Sequence, residues 1–97
     1  MATYVTLLRF TQSGMEKFKD MPSRLDRAKA ACRAAGGELK AFYLTLGQYD
    51  AIAISEFPTE EAFLGAFLTI GSAGEASMET LRAFPEKEYR RVVAGLP

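Results

Sequence analysis

Leu46-Gly47-Gln48-Tyr49-Asp50 separates two runs of β-forming residues, Leu39 to Thr45 and Ala51 to Phe57. A short Gly-containing break between such runs reads as a β-hairpin, and Gly47 supplies the positive φ that a tight turn asks for. Outward from the hairpin, one helical and one strand-like segment follow on each side in mirror order.

On the N-terminal side, Thr3 to Phe10 mixes β-branched, aromatic and leucine residues and reads as a strand, ended by Thr11-Gln12-Ser13-Gly14. Met15 to Phe18 reads as a short helical turn. The main helix starts at Asp20-Met21-Pro22, where Asp20 can accept from a free N–H and proline is tolerated in the first turn. Phe18, Met21, Leu25, Ala28, Cys32 and Ala35 recur every three or four residues. They leave Arg24, Arg27, Lys29 and Arg33 largely on the other faces. That group could attract an anionic ligand but, diluted by Asp26 and Glu38, is expected as a solvated helix face. Gly36-Gly37 stops the helix with a left-handed cap.

On the C-terminal side, Thr59 is the expected N-cap of a second helix, with Glu60 and Glu61 on the positive end of its dipole. Its apolar stripe is Ala62, Phe63, Ala66, Phe67 and Ile70, and Gly71-Ser72-Ala73-Gly74 ends it. A fourth strand follows from Ala76 to Phe84. Pro85 then leads into a short helix whose Tyr89, Val92 and Val93 are expected to dock on the body.

The order β-α-β-β-α-β spans one domain, residues 1–97. With right-handed crossovers it closes as an α+β, ferredoxin-like sandwich: a four-stranded antiparallel sheet with helices on one face. Strand alternation then sets Tyr4, Thr6, Leu8 and Phe10 against Val5 and Leu7. It sets Phe42, Leu44 and Leu46 against Ala41, Tyr43 and Thr45, and Ile52 and Ile54 against Ala51, Ala53, Ser55 and Phe57. Both faces are apolar, yet two helices cover only one, and a wet face should be polar. A second copy of the chain, as a homodimer or a multiple of dimers, is the expected cover.

Composition narrows the chemistry. Twelve basic and twelve acidic residues cancel, which builds no field for nucleic acid. No apolar run approaches the about 20 residues of a membrane span. The N-terminus carries no signal-peptide pattern, and one cysteine excludes an internal disulfide, so the expected location is cytoplasmic. With no histidine there is no imidazole haem ligand, no His-containing zinc site and no Ser/His or Cys/His pair. The scattered Asp and Glu residues give no metal-ligand spacing, and neither metal nor cofactor is expected.

Two constellations remain. Tyr49 and Asp50 join a phenol to a carboxylate at the turn and are the candidate acid–base pair. The plainer reading has Asp50 bonding backbone N–H groups in the hairpin and Tyr49 packing over the sheet edge. Tyr4, Thr6, Tyr43, Thr45 and Ser55 bear hydroxyls at alternating positions and are the candidate lining of a mixed pocket. The plainer reading there is interface packing. Glu79 and Arg82 are expected on opposite faces of the fourth strand, and Cys32 as a small buried hydrophobe.

The opening Thr3-Tyr4-Val5-Thr6-Leu7, the Arg24-Leu25-Asp26 helix ending in Gly36-Gly37, the Lys40-Ala41-Phe42-Tyr43 strand, Gly47-Gln48-Tyr49-Asp50 and Glu79-Thr80-Leu81-Arg82-Ala83-Phe84 together resemble the GYD-domain proteins of bacteria. The resemblance covers roughly residues 2–93 and implies a subunit of the dimeric α/β-barrel kind, in which two sheets pack face to face. It implies no particular reaction. The wider group of dimeric barrels includes cofactor-free oxygenases, isomerases, haem enzymes and ligand-sensing domains. The expectation is a homodimeric binding module for a small apolar or aromatic molecule. A cofactor-free monooxygenase or isomerase using Tyr/Asp chemistry, and a structural or regulatory dimer without ligand, are the alternatives.

Overall fold

The computed structural model describes residues 1–97. Four strands, β1 (Ala2–Phe10), β2 (Glu38–Leu44), β3 (Ala51–Phe57) and β4 (Ala76–Ala83), form one antiparallel sheet in the order β2-β3-β1-β4. Helices α2 (Met21–Ala34) and α3 (Glu60–Gly71) cross between them and lie side by side on one face. The ferredoxin-like arrangement expected from the element order is the one observed.

The local signals act as read at three junctions. Thr59 caps α3, its hydroxyl accepting from the Ala62 amide at 3.1 Å, with Glu60 and Glu61 in the first turn. Gly36, at φ +82°, turns the chain out of α2. At Gly37 a Cβ would run into the Glu56 carbonyl and the Phe57 ring, so this glycine lets the helix end settle on β3.

Four expectations are corrected. The segment after β1 becomes helical earlier than read: Thr11 caps a helix α1 (Gln12–Glu16) by accepting from the Gly14 amide, and Phe18–Asp20 forms a separate 3-10 turn. Asp20 makes no side-chain cap on α2, because the 3-10 turn already carries the backbone into the helix; the Ser23 hydroxyl instead donates to the Asp20 carbonyl. β2 ends at Leu44, so Thr45 and Leu46 belong to the loop, where Leu46 is fully exposed. Lastly, α4 (Glu86–Ala94) does not dock. Phe84 and the extended Pro85 carry it past the sheet, and Tyr89, Val92 and Val93 stay exposed.

Register fixes which side chains share a face. Tyr4 pairs with Ser55 and Arg82, Thr6 with Ala53 and Thr80, and Leu8 with Ala51 and Met78. These rows face the helices. The alternate rows, Val5 with Ile54 and Leu81, and Leu7 with Ile52 and Glu79, face away. The core is small: only Tyr4, Cys32, Phe57 and Ala66 form its fully buried cluster. Aromatic contacts knit it. The Tyr4 ring stacks on Phe63 at 4.1 Å, and Phe57 meets Phe63 edge-on at 5.5 Å.

Candidate functional site

The aromatic cluster closes one end of the space between helices and sheet, where β1 begins and α2 ends. Toward the other end the layers part and leave a half-open cavity of about 490 Å³. Thr6, Leu8 and Phe10 of β1, Ala53 and Ser55 of β3, and Phe42 of β2 form its sheet wall. Leu25, Ala28 and Ala31 of α2 and Phe67 and Ile70 of α3 form its helix wall. Its size falls in the range of small-molecule pockets, and so does its chemistry: mostly apolar walls with a few polar groups.

Cys32 also lines this cavity, and burial pushes its thiol above the ordinary 9.0, partly opposed by Arg33. That is an inert, protonated sulfur. The Thr6 and Thr80 hydroxyls hydrogen-bond to each other at 3.2 Å across β1 and β4. The Tyr4 hydroxyl is buried and has no partner.

The five hydroxyl-bearing residues singled out from the sequence are therefore divided. Tyr4, Thr6 and Ser55 lie together on the helix-covered face, and Thr6 and Ser55 line the cavity. Tyr43 pairs with Ile52 on the opposite face and is 58% exposed. Thr45, beyond the end of β2, donates its hydroxyl to the Tyr49 carbonyl at 2.6 Å and serves the loop.

Tyr49 and Asp50 are adjacent in sequence but engage different partners. The Asp50 carboxylate accepts from the Phe10 amide at 2.8 Å, while the Asp50 amide donates to the Leu8 carbonyl at 2.8 Å. The carboxylate thus bonds a backbone N–H, as the plainer reading supposed, but on β1 rather than within the hairpin. The Tyr49 hydroxyl donates to Glu79 of β4 at 2.7 Å. The Arg9 guanidinium lies 4.7 Å from the centre of the Tyr49 ring and donates to the Gln48 carbonyl at 3.0 Å. The hydrogen bond to Glu79 raises the Tyr49 phenol above its ordinary 10.0, with smaller help from burial and the Glu79 charge; Arg9 opposes it. Such a phenol is a poor proton donor at neutral pH. No hydrogen bond joins Tyr49 to Asp50.

A site feature that the sequence reading missed is Arg24, assigned to a solvated helix face. Its side chain is only 13% exposed, and its guanidinium pairs with Glu75, just before β4. It also donates to the Gly14 and Lys17 carbonyls, at 3.3 and 3.1 Å. Glu75 lies 51 residues from Arg24 in sequence, so no helical periodicity could signal the pair. No group of three or more His, Cys, Asp or Glu side chains is arranged to hold a metal ion. No helix is long and apolar enough to cross a membrane.

Among solved structures, the fold is similar to that of FFRP-DM1. Identity is 23% over 87% of this chain and 100% of that one, with a TM-score of 0.59. It is also similar to TTHA0845 from Thermus thermophilus, at 22% identity over 87% of this chain and 94% of that one, with a TM-score of 0.56. Identities this low carry a likeness of fold alone. No curated protein matches the chain. The family model of the GYD domain matches residues 4–93, taking in both helices over the cavity, the pinned loop and all of β4, and the chain belongs to the GYD-domain family.

Proposed function

We propose that the domain is a homodimeric binding module that holds a small apolar or aromatic molecule between its helices and its sheet. The observation that carries this reading is the cavity of about 490 Å³ inside so small a core. At about 24 cal/mol per Å³, an empty enclosed void of that size would cost on the order of 10 kcal/mol, comparable to a whole domain's stability. Such a space is filled, by solvent through its open end or by a ligand. Walls of Leu, Phe, Ile and Ala favour the ligand.

The homodimer is supported by the other face of the sheet. Val5, Leu7, Ile52 and Ile54 run across it, flanked by Leu81 and Tyr43, which are 49% and 58% exposed. A contiguous apolar patch of this kind marks an interaction surface, and a twin sheet is its natural complement.

Nile red, an uncharged environment-sensitive dye, tests the cavity. The native protein is expected to bind it with a blue-shifted emission. Ala53→Phe, which fills the cavity from the middle of β3, is expected to abolish binding, while Ile54→Asp on the opposite face leaves it intact. Dye binding unchanged by Ala53→Phe overturns the cavity reading. Sedimentation equilibrium in the same series tests the assembly. The native protein is expected at twice 10.6 kDa or a multiple, and Ile54→Asp at 10.6 kDa. A native monomer at micromolar concentration overturns the dimer.

A further inference from the structure

The mouth of the cavity differs in chemistry from its walls. It opens between the first half of α2 and the end of α3, where Arg24, Arg27, Thr69 and Glu75 line it. Glu75 is the one carboxylate in that lining, and Arg24 already holds it. The Arg24 Nε has no acceptor, but it is sealed from solvent and so from the cavity. Arg27 is exposed, lines the cavity and belongs to no ion pair. The hydrogen bond from Arg24 holds the Glu75 carboxyl below its ordinary 4.5 against the opposing effect of burial, and the charges of Arg24, Lys17 and Arg27 add to this. Two arginines, Arg24 and Arg27, therefore stand with one carboxylate at the entrance to an apolar chamber. The chamber's far end is closed by Phe57 and Phe63.

We infer that the cavity takes an amphiphilic monocarboxylate, its apolar body between the helices and the sheet and its carboxylate at Arg27, beside the Arg24–Glu75 pair. The inference rests on the cavity reading above and adds the head group to it. A neutral apolar molecule gains nothing from Arg27. A cationic one meets an excess of one positive charge. A carboxylate forms charge-assisted hydrogen bonds with Arg27 at the rim of the apolar cavity. Arginine suits this role because its planar fork matches the two carboxylate oxygens.

Three probes with one tail and different heads separate the inference from its foundation: dodecanoate, dodecanol and dodecylamine. Each displaces Nile red from the intact chain below its aggregation concentration, with calorimetry as a second readout. Dodecanoate is expected to bind about tenfold more tightly than dodecanol, the effect of one charge-assisted contact. Dodecylamine is expected to be the weakest. In Arg27→Gln, an exposed position whose change leaves the fold intact, the advantage of dodecanoate is expected to fall to about twofold, with dodecanol unaffected. Dodecanol or dodecylamine binding as well as dodecanoate overturns the head-group assignment and leaves the cavity reading standing. So does a preference for dodecanoate that Arg27→Gln leaves intact. If none of the three displaces the dye, or if all bind equally to Ala53→Phe, both readings fall together.

Discussion

The helix-covered face of the sheet carries Tyr4, Thr6, Ser55 and Phe57, while the opposite face carries Val5, Leu7, Ile52 and Ile54. Neither face is the plainly polar one of a half-wet antiparallel sheet. Hydroxyls lie among apolar groups inside, under the helices, and branched aliphatics lie outside beside Glu56 and Glu79. On the inside, small residues such as Ala53 and Ser55 leave space beneath the helices at one end, and aromatic rings fill the other. On the outside, Val5, Leu7, Ile52 and Ile54 make an apolar surface across the two central strands. The first face borders a cavity; the second is an open apolar surface.

The largest effect expected from this contrast is at Phe57, buried to 1% exposure among Tyr4 and Phe63. Phe57→Ala is expected to lower stability by about 3–5 kcal/mol in urea melts. That loss should be the same at every protein concentration. Ile54→Ala, on the other face, should show a loss that grows with concentration, since its contacts would lie between copies. Equal, concentration-independent losses at both positions would erase the contrast.

A smaller effect is expected at Asp50, which ties the rim of the sheet together. Asp50→Ala removes the acceptor from the Phe10 amide and is expected to cost about 1–3 kcal/mol. Asp50→Asn retains an accepting oxygen and should restore most of that loss. Full loss in Asp50→Asn would mean that the charge, not the hydrogen bond, holds the rim.

The smallest belongs to Tyr49 on the open face. Tyr49→Phe is expected to leave the melting temperature nearly unchanged, as for a side chain at the surface. Its sharper readout is spectroscopic. Because the folded phenol titrates above 10.0, the bond to Glu79 contributes to stability below that pH and is lost as pH rises through the raised value. Glu79→Gln should return the Tyr49 titration toward 10.0, followed by ultraviolet difference absorbance. An unchanged titration would remove Glu79 as its cause.

Much of this was legible in the sequence because it rests on short-range signals. Element order, the Thr59 cap, the Gly36 turn, the two faces of β1 and β3 and the opposed directions of Glu79 and Arg82 all follow from periodicity and local backbone preference. What escaped depends on contacts across the chain. Alternation assigned Tyr43 and Thr45 to a pocket with Tyr4, but the end of β2 at Leu44 and the register with β3 separate them. Adjacency suggested a Tyr49–Asp50 pair, while the nearest acceptor for the phenol arrives from β4, 30 residues later. An amphipathic α4 announced that it wanted a partner without saying where, and its own chain offers none.

The grip of Asp50 on the Phe10 amide also bears on how the chain finds its alignment. Side-chain alternation penalises a strand that slides by one residue, because every apolar group would change face. It is indifferent to a slide of two. β1 and β3 are both apolar on both faces, so a two-residue error between them would bury nearly as much. The carboxylate resolves that ambiguity. In the native alignment it meets the amide just beyond the last β1–β3 pair, Leu8 with Ala51, where no β3 carbonyl remains to accept. Slid two residues toward the interior of β1, it would face an amide already paired along the ladder and be left without a donor. Asp50 thus works as a vernier mark on an otherwise evenly ruled scale. Its loss should show as a mixture of alignments in amide spectra as well as a lower melting temperature.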